Sequence, residues 1–246
     1  LNALNAAATN ISLTNVTAFS ASDMDDLTTF EANIAGFTQF TGIANITLTN
    51  DGGGSGSVDF STLKTIVDNY QDNVNADIVF SFQAGDAITL DNSDEVSAYL
   101  VDITSGALNL SNQTVTVNSS VGLSVANAKS IAADTTGTVT ATIASGTRVT
   151  DLTELRNPGG GNEENAWTIT LHSDDATAST AAQLNTINAA TSQAITSTAV
   201  TALAASDLAD LTTLNTNVAG FSSLANLAAI TLTNDGGGGD GNVDFG

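Results

Sequence analysis

The chain lacks cysteine altogether and has a single histidine and few aromatic residues. Without cysteine it can form no disulfide, no thiolate metal site and no cysteine nucleophile. The single histidine, His172, excludes metal sites built from several histidines. Aromatic residues make up 5% of the chain, and the apolar share of 41% is largely Ala, Leu, Ile and Val. We therefore expect a thin core of small side chains, which suits a layered or repetitive structure.

Basic residues are almost missing as well. Four Lys and Arg face 26 Asp and Glu, which gives a formal net charge of −22. Nucleic-acid binding requires clustered Lys and Arg, but the four basic residues are scattered along the chain. Anionic membrane surfaces repel so acidic a chain, and no run of 18 apolar residues predicts direct membrane insertion. The composition therefore predicts no nucleic-acid partner, no membrane insertion and a need for counter-cations from the medium.

A long internal repeat is the main feature that the sequence does contain. About 17 of the 30 positions in residues 22–51 are identical in residues 206–235, which a repeat explains and chance does not. A fainter copy begins near Ala128, where AKSIAADTTGTVTAT aligns with QLNTINAATSQAITST from Gln183. These matches predict repeat units at 1–51, 123–175 and 176–246, the last with the start of another glycine-rich turn, and a divergent β-rich insert at 52–122.

Each unit shows the same order of local patterns. An Ala-rich stretch such as LNTINAA predicts a short helix, and a Thr/Val alternation such as TVTATIA predicts a strand. The pairs Ser22-Asp23, Thr150-Asp151 and Ser206-Asp207 then predict helix N-caps, with Ser22 and Asp25 as a capping box. ITLTND predicts a closing strand. The expected fold is an elongated α/β repeat array of helix-strand-helix-strand units, and the alternative is an all-β array of sandwich-like repeats.

The insert shows its own local patterns. STLKTIVDNY predicts a helix at 61–70. The remaining apolar runs and alternations predict strands near 77–83, 87–91, 97–103 and 113–118.

Two glycine-rich turns, which begin at Asp51 and Asp235, point to a metal. Glycine lets the backbone turn and expose carbonyl oxygens, and Asp supplies the hard oxygen ligands that Ca²⁺ collects, six to eight at a time, from flexible loops. LDNSDE also alternates oxygen side chains as a calcium loop does. The sequence predicts calcium as cofactor, and the alternative is a solvated linker turn. The candidate metal ligands are Asp51, Asp59, Asp91, Asp94, Asp235, Asp240 and Asp244.

Enzyme signatures are poor, and the chain is predicted not to be an enzyme. It contains no GxSxG nucleophile elbow and no P-loop or GxGxxG sequence before a helix. Paired carboxylates leave a secreted polysaccharide-active enzyme as a remote alternative.

Thr-x-Thr pairs form another pattern, because residues i and i+2 of a strand share one face. They favour an ordinary solvated sheet, with a glycan- or ice-binding face as the alternative. The pairs are Thr47/Thr49, Thr114/Thr116, Thr138/Thr140/Thr142, Thr168/Thr170 and Thr231/Thr233.

The repeats LNTINAAT, TVTAT and ASDLADL resemble those of very large bacterial surface proteins, the RTX-type adhesins and S-layer-like proteins of cyanobacteria and marine bacteria. The resemblance covers residues 1–51, 123–175 and 176–235, and the glycine-rich turns depart from the GGxGxD nonapeptide of RTX proteins. It implies an extracellular or cell-surface structural protein that forms a filament, an S-layer-like lattice or an adhesin stalk, stabilised by calcium. The expected partner is the chain itself, head to tail or in a lattice, with a surface glycan as a further partner.

Overall fold

The computed structural model describes residues 2–3, 11–38, 42–48, 57–83, 86–156, 165–224 and 227–233. Within these ranges the chain is a mixed α/β protein with seven α-helices and parallel strand pairs, which confirms the predicted α/β class. The chain divides into two compact units, Leu1–Asn118 with Ala133–Thr138, and Ser119–Ala132 with Val139–Gly246. The described helices include none long and apolar enough to cross a bilayer.

The strands of the first unit form three sets of parallel pairs. One sheet has the order β2-β4-β6-β8, strands β5, β7 and β9 pair in that order, and β1 pairs with β3. The strands are β1 Ile11–Ser12, β2 Ala18–Ser22, β3 Phe37–Thr38, β4 Asn45–Leu48, β5 Ser57–Asp59, β6 Val79–Phe82, β7 Ala87–Leu90, β8 Leu108–Asn109 and β9 Thr114–Val117. The helices are α1 Met24–Ala32, α2 Phe60–Asn73 and α3 Ser93–Ser105.

Alternating side chains place the core on one face of these strands. In the four-stranded sheet, Phe19, Ile46, Phe80 and Leu108 stand in one register column, and all four are buried. Because side chains alternate between the two faces of a strand, this column fixes which residues point inward along each strand. The strand predictions for 77–83, 87–91 and 113–118 are confirmed by β6, β7 and β9.

Helix α2 confirms the helix predicted at 61–70 and joins an aromatic cluster. Its buried residues Phe60, Leu63, Val67 and Tyr70 recur every three to four positions, the period of one helix face. The ring centroids of Tyr70 and Phe80 lie 5.9 Å apart. The hydroxyl of Tyr70 donates to the backbone carbonyl of Leu27 in α1. The few aromatic residues are therefore concentrated in the interior, and the core of this unit is built around larger side chains than the composition suggests.

The strand predicted at 97–103 is wrong, because these residues lie within α3. Asn92 caps the helix by accepting from the backbone N–H groups of Asp94 and Glu95, each at 3.0 Å. Gly106, with φ of 81°, ends it in the left-handed conformation that favours glycine. The apolar run AYLV resembles a strand, but the cap and the terminator at the two ends select a helix. The stretch predicted as a β-rich insert thus carries the two longest described helices, α2 and α3.

The second unit is also built from parallel strand pairs. β11 lies between β10 and β12, and β13 pairs with β14. The strands are β10 Gly122–Leu123, β11 Val139–Ile143, β12 Ala166–Thr168, β13 Ala202–Ser206 and β14 Ala229–Leu232. The helices are α4 Val125–Asp134, whose last two residues belong to the first unit, α5 Val149–Leu152, α6 Ala181–Asn188 and α7 Leu208–Thr216.

Two of the three predicted N-caps are confirmed, and both fall on aspartates. Asp23 Oδ1 accepts from the N–H of Asp26 at 2.7 Å, and Asp207 Oδ1 accepts from the N–H of Asp210 at the same distance. The capping box predicted from Ser22 and Asp25 is wrong, because Asp23 is the N-cap residue. The cap predicted at Thr150-Asp151 is also wrong, since α5 begins one residue earlier, at Val149.

Buried polar side chains join neighbouring strands in the second unit. Thr191 Oγ1 donates to the carbonyl of Trp167 at 2.8 Å, and Asn165 Oδ1 accepts from the N–H of Val139 at the same distance. Asn165 and Trp167 are 3% and 1% exposed, respectively. A buried backbone group without a partner is costly, and these side chains satisfy such groups on β11 and β12. The richness in Thr and Asn therefore serves the interior as well as the surface.

Candidate functional site

Four of the seven predicted metal ligands, Asp51, Asp235, Asp240 and Asp244, lie outside the described residues. The calcium prediction for the glycine-rich turns therefore stays a prediction. The other three ligands, Asp59, Asp91 and Asp94, are described and occupy the first turns of α2 and α3 or the residues just before them.

Asp59 is the N-cap of α2. Its Oδ1 accepts from Ser61 Oγ at 2.6 Å and from the N–H of Thr62 at 2.9 Å. These hydrogen bonds hold the pKa of Asp59 below its usual value, because they stabilise the carboxylate. Capping engages one carboxylate oxygen in the described structure.

Asp91 and Asp94 surround the N-cap of α3 without converging on one point. The N–H of Asp91 donates to Glu95 Oε2 at 2.7 Å, and the N–H of Asp94 donates to Asn92 Oδ1 at 3.0 Å. Acidic residues at a helix start complement its dipole. Across the described ranges, no group of three or more His, Asp or Glu side chains is placed to hold a metal ion.

An ion-pair cluster in the second unit centres on Asp175. This carboxylate is 4% exposed and accepts from Arg148 Nε at 2.8 Å and from the N–H of Val149 at 2.9 Å. Burial raises the pKa of Asp175, but the hydrogen bonds from Arg148 and Val149 outweigh burial and lower it. His172 Nδ1 accepts from the N–H of Asp174 at 3.2 Å. Asp175 therefore holds the first residue of α5, and His172 caps the helical turn at 173–175. These hydrogen bonds give both side chains structural roles.

A second buried carboxylate lies in the first unit. Asp102 is 4% exposed, and its Oδ2 has no hydrogen-bond partner in the described structure. Burial raises its pKa, and the charge of Lys64 offsets this only in part. Lys64 itself pairs with Asp68 on the same helix. Sequence reasoning missed the burial of Asp102 and Asp175, because it depends on elements distant in sequence.

A polar groove of about 600 Å³ lies between α4 and α5 in the second unit. Lys129 lies beside it, with Nζ 3.7 Å from Glu154 Oε2. Its polar lining residues are Ser124, Lys129, Ser130, Thr147, Asp151 and Glu154. One cation, Lys129, and two carboxylates, Asp151 and Glu154, line the groove, so the lining carries a formal charge of −1.

Threonine side chains stand beside one another on the outer faces of the strands. Thr89 is in register with Thr116 in the first unit. In the second unit, Thr142 is in register with Thr168, and Thr170 forms an isolated parallel bridge with Thr196. The pairing across neighbouring strands extends the Thr-x-Thr pattern that the sequence shows within each strand.

Among the described residues, β14 is the one strand that exposes large apolar side chains. Ile230 and Leu232 are 48% and 40% exposed. They occupy alternate positions of one strand, so they project from the same face. We call these two side chains the β14 face.

Comparison with known proteins gives no relative: no protein-family profile, no curated protein and no solved structure matches this chain.

Proposed function

We propose that the chain is a segment of an extracellular structural protein, a tandem-repeat array that forms a filament, an S-layer-like lattice or an adhesin stalk at the cell surface. Calcium is the proposed stabilising cation, and the chain itself is the proposed partner. Surface glycan is a further proposed partner. The proposal assigns no catalytic role to any residue.

One observation carries the proposal: a repeated sequence block adopts the same local structure in both units. β2 pairs with β4, and β13 pairs with β14, in the same register and with a shift in register at the same place, after Phe19 and after Leu203. The helix that follows each first strand is capped by aspartate, with the same hydrogen bond. A sequence repeat that is also a structural repeat supports a tandem array.

The sheets support assembly from such blocks. β2 and β14 each end a sheet within the described residues, and each belongs to parallel pairs. An unpaired strand edge offers a row of backbone donors and acceptors to another strand. Repeat proteins gain stability mainly from contacts between neighbouring repeats, so edges of this kind suit stacking.

Electron microscopy of the full chain tests self-assembly. At millimolar calcium we expect filaments or sheets, which chelation with EDTA disperses because 26 acidic residues then repel one another without a bound divalent ion. The control is the same ionic strength supplied as sodium chloride. Monodisperse single chains at every calcium concentration would contradict the proposed function.

Thermal melting tests calcium separately. A cation that binds only the folded chain raises Tm as its concentration rises above Kd. We expect a higher Tm with calcium than with magnesium at equal ionic strength, and the loss of that difference when Asp235, Asp240 and Asp244 are replaced together by Asn. Identical melting curves in calcium and chelator remove the metal from the proposal.

The threonine registers favour a second candidate, a glycan- or ice-binding module. Thr89 and Thr116, and Thr142 and Thr168, present hydroxyl groups side by side at the spacing of neighbouring strands, about 4.8 Å. A glycan array and an ice-recrystallisation assay test it, with Thr116→Val and Thr168→Val as variants that keep the β-branched shape. Blank results in both assays with the unmodified chain would eliminate this candidate.

A further inference from the structure

Asp102 occupies a core position of helix α3. The buried side chains of this helix are Val96, Tyr99 and Asp102, which recur every three residues on one face. The first two are the apolar and aromatic residues that a core face requires, but the third places a carboxyl group in the interior. Its Oδ2 has no hydrogen-bond partner in the described structure. A buried polar atom without a partner costs free energy, so packing alone does not account for this residue.

The single basic residue of the first unit, Lys64, lies at the same level of the α2–α3 pair. Phe60 of α2 and Tyr99 of α3 make an edge-to-face contact, with ring centroids 5.6 Å apart. Lys64 follows Phe60 by four residues on α2. Asp102 follows Tyr99 by three residues on α3, so each lies about one turn beyond the aromatic contact on the same helix face. The charge of Lys64 accordingly acts on the carboxyl group of Asp102.

A second carboxyl group completes the cluster. Asp68 lies one turn after Lys64 on α2 and pairs with its Nζ. The side chain of Asp68 is 50% exposed, and that of Lys64 is 28% exposed. Asp68 also acts electrostatically on Asp102. The cluster therefore combines an amine on a flexible four-carbon stem, a buried carboxyl group, and a carboxylate that contacts both the amine and the solvent.

These three groups can serve as the reactants and the proton carrier of an amide condensation. Burial raises the pKa of Asp102, which favours the neutral acid that an amine attacks. Asp68 is placed to accept a proton from the Lys64 ammonium group, because only the neutral amine is a nucleophile. Well-oriented groups in one molecule react at effective molarities of about 10⁵–10⁸ M, and exclusion of water from the interior protects the product from hydrolysis.

We propose that Lys64 and Asp102 form an intramolecular isopeptide bond between Nζ and Cγ, with Asp68 as the proton carrier. The Nζ–Cγ bond forms, and one Cγ–O bond of Asp102 breaks. The hydroxyl group leaves as water with a second proton from Nζ, and Asp68 releases the first proton to solvent. The reaction consumes no oxidant, reductant or cofactor. In a chain without cysteine, the bond restricts the unfolded state as a disulfide does.

The mass of the full, unmodified chain tests this inference. We expect a mass about 18 Da, one water, below that of the sequence. Trypsin then locates the loss, because it cleaves after a free lysine and not after an acylated one. On the denatured chain we expect one fragment, 1–129, in place of the two fragments 1–64 and 65–129. Cleavage after Lys129, which lies 3.7 Å from Glu154, is the matched control.

Two variants assign the roles. Lys64→Arg keeps the positive charge and removes the primary amine, so we expect the full sequence mass. The same variant keeps Asp102 as a free acid and is the parent chain in which the ionisation of Asp102 is measured. We expect Asp68→Asn to form the bond at least tenfold more slowly during timed cell-free synthesis, because general acid–base catalysis contributes about 10²–10⁴-fold.

The outcomes are distinct. An unmodified chain with the full sequence mass would overturn the inference. A loss of water that leaves cleavage after Lys64 intact would also overturn it, because the loss then lies at another site, such as a succinimide. Equal rates for Asp68→Asn and the unmodified chain would overturn the role of Asp68. Whether the chain assembles into filaments or sheets affects none of these measurements.

Discussion

Residues 18–48 and residues 202–232 are two copies of one sequence block with the same elements, but the surroundings of their second strands differ. In the first copy, β4 lies between two other strands, and Ile46 and Leu48 are fully buried. In the second copy, β14 has a described neighbour on one side, and Ile230 and Leu232 are exposed. The comparison teaches that burial in this chain is supplied by the next strand and helix more than by the block itself.

The same dependence appears in the helices. Met24 at the start of α1 is 4% exposed, and its counterpart Leu208 at the start of α7 is 36% exposed. α2 packs on α1 in the first unit. A structure in which each block completes its core through its neighbour gains stability from contacts between blocks. Matched substitutions in the two copies measure that gain.

The largest expected difference is between Ile46→Ala and Ile230→Ala. Ile46→Ala removes buried methyl groups and leaves a cavity, so we expect a loss of about 2–5 kcal/mol in the free energy of unfolding. Ile230→Ala alters a half-exposed side chain, and we expect a change within about 0.5 kcal/mol. Urea denaturation measures both, with circular dichroism for the chain and Trp167 fluorescence for the second unit. Equal losses in the two copies would show that β14 is covered in solution.

The next comparison sets two buried carboxylates against each other. Asp175 in the second unit has a lowered pKa and Asp102 in the first unit has a raised one. The stability that Asp175 contributes is present above its unfolded pKa of about 3.9 and is lost as pH falls through the folded value. The contribution of Asp102 has the opposite sign, because it is present below pH 3.9 and is lost as pH rises through its raised folded pKa.

Asp175→Asn and Asp102→Asn are therefore expected to act in opposite directions at pH 7. Asp175→Asn weakens the hydrogen bonds to Arg148 and Val149, for a loss of about 1–3 kcal/mol. Asp102→Asn removes a buried charge that is only partly compensated, for a gain of up to about 1 kcal/mol. Urea denaturation at pH 7 and pH 3.5 measures both variants, and both effects shrink at the lower pH. The same sign for the two variants at pH 7 would contradict the assigned pKa directions.

The sequence predicts the elements with strong local patterns. β9 alternates Thr and Val, β6 and β7 are short runs rich in apolar residues, and α2 has a clean helical period, so each was predictable without knowledge of its neighbours. Residues 97–103 mislead because Tyr99 and Val101 favour strands, whereas the cap at Asn92 and the left-handed Gly106 decide for a helix. In this segment the strand propensity of the residues disagrees with the signals at the two helix ends, and the helix-end signals agree with the structure.

Predicting the candidate site is harder, because one residue type serves several purposes. Asp59 and Asp94 present oxygen atoms before or within a helix start, and both a helix cap and a calcium ion require oxygen atoms. Sequence alone does not separate the two uses. Asp102 and Asp175 acquire their altered pKa values from burial and from partners in other elements. The β14 face is visible only when the burial of two repeat copies is compared.

The smallest expected effect concerns the helix N-caps, where the two copies have the same local hydrogen bond. It tests whether the caps contribute equally to stability. Asp23→Ala and Asp207→Ala each remove one N-cap hydrogen bond of the same length, 2.7 Å. We expect each to lower the free energy of unfolding by about 1 kcal/mol. Asp25→Ala is the matched control, because Asp25 lies exposed in the first turn of α1, where a charge adds only about 0.3 kcal/mol through the helix dipole. Urea denaturation measures all three variants.

Because a cap acts within its own first turn, the two losses should agree even though the two blocks differ in burial. A loss at Asp23 well above that at Asp207 would mean that the packing of α2 on α1 tightens the cap, and dependence on the neighbouring block would then reach the local hydrogen bonds as well as the core.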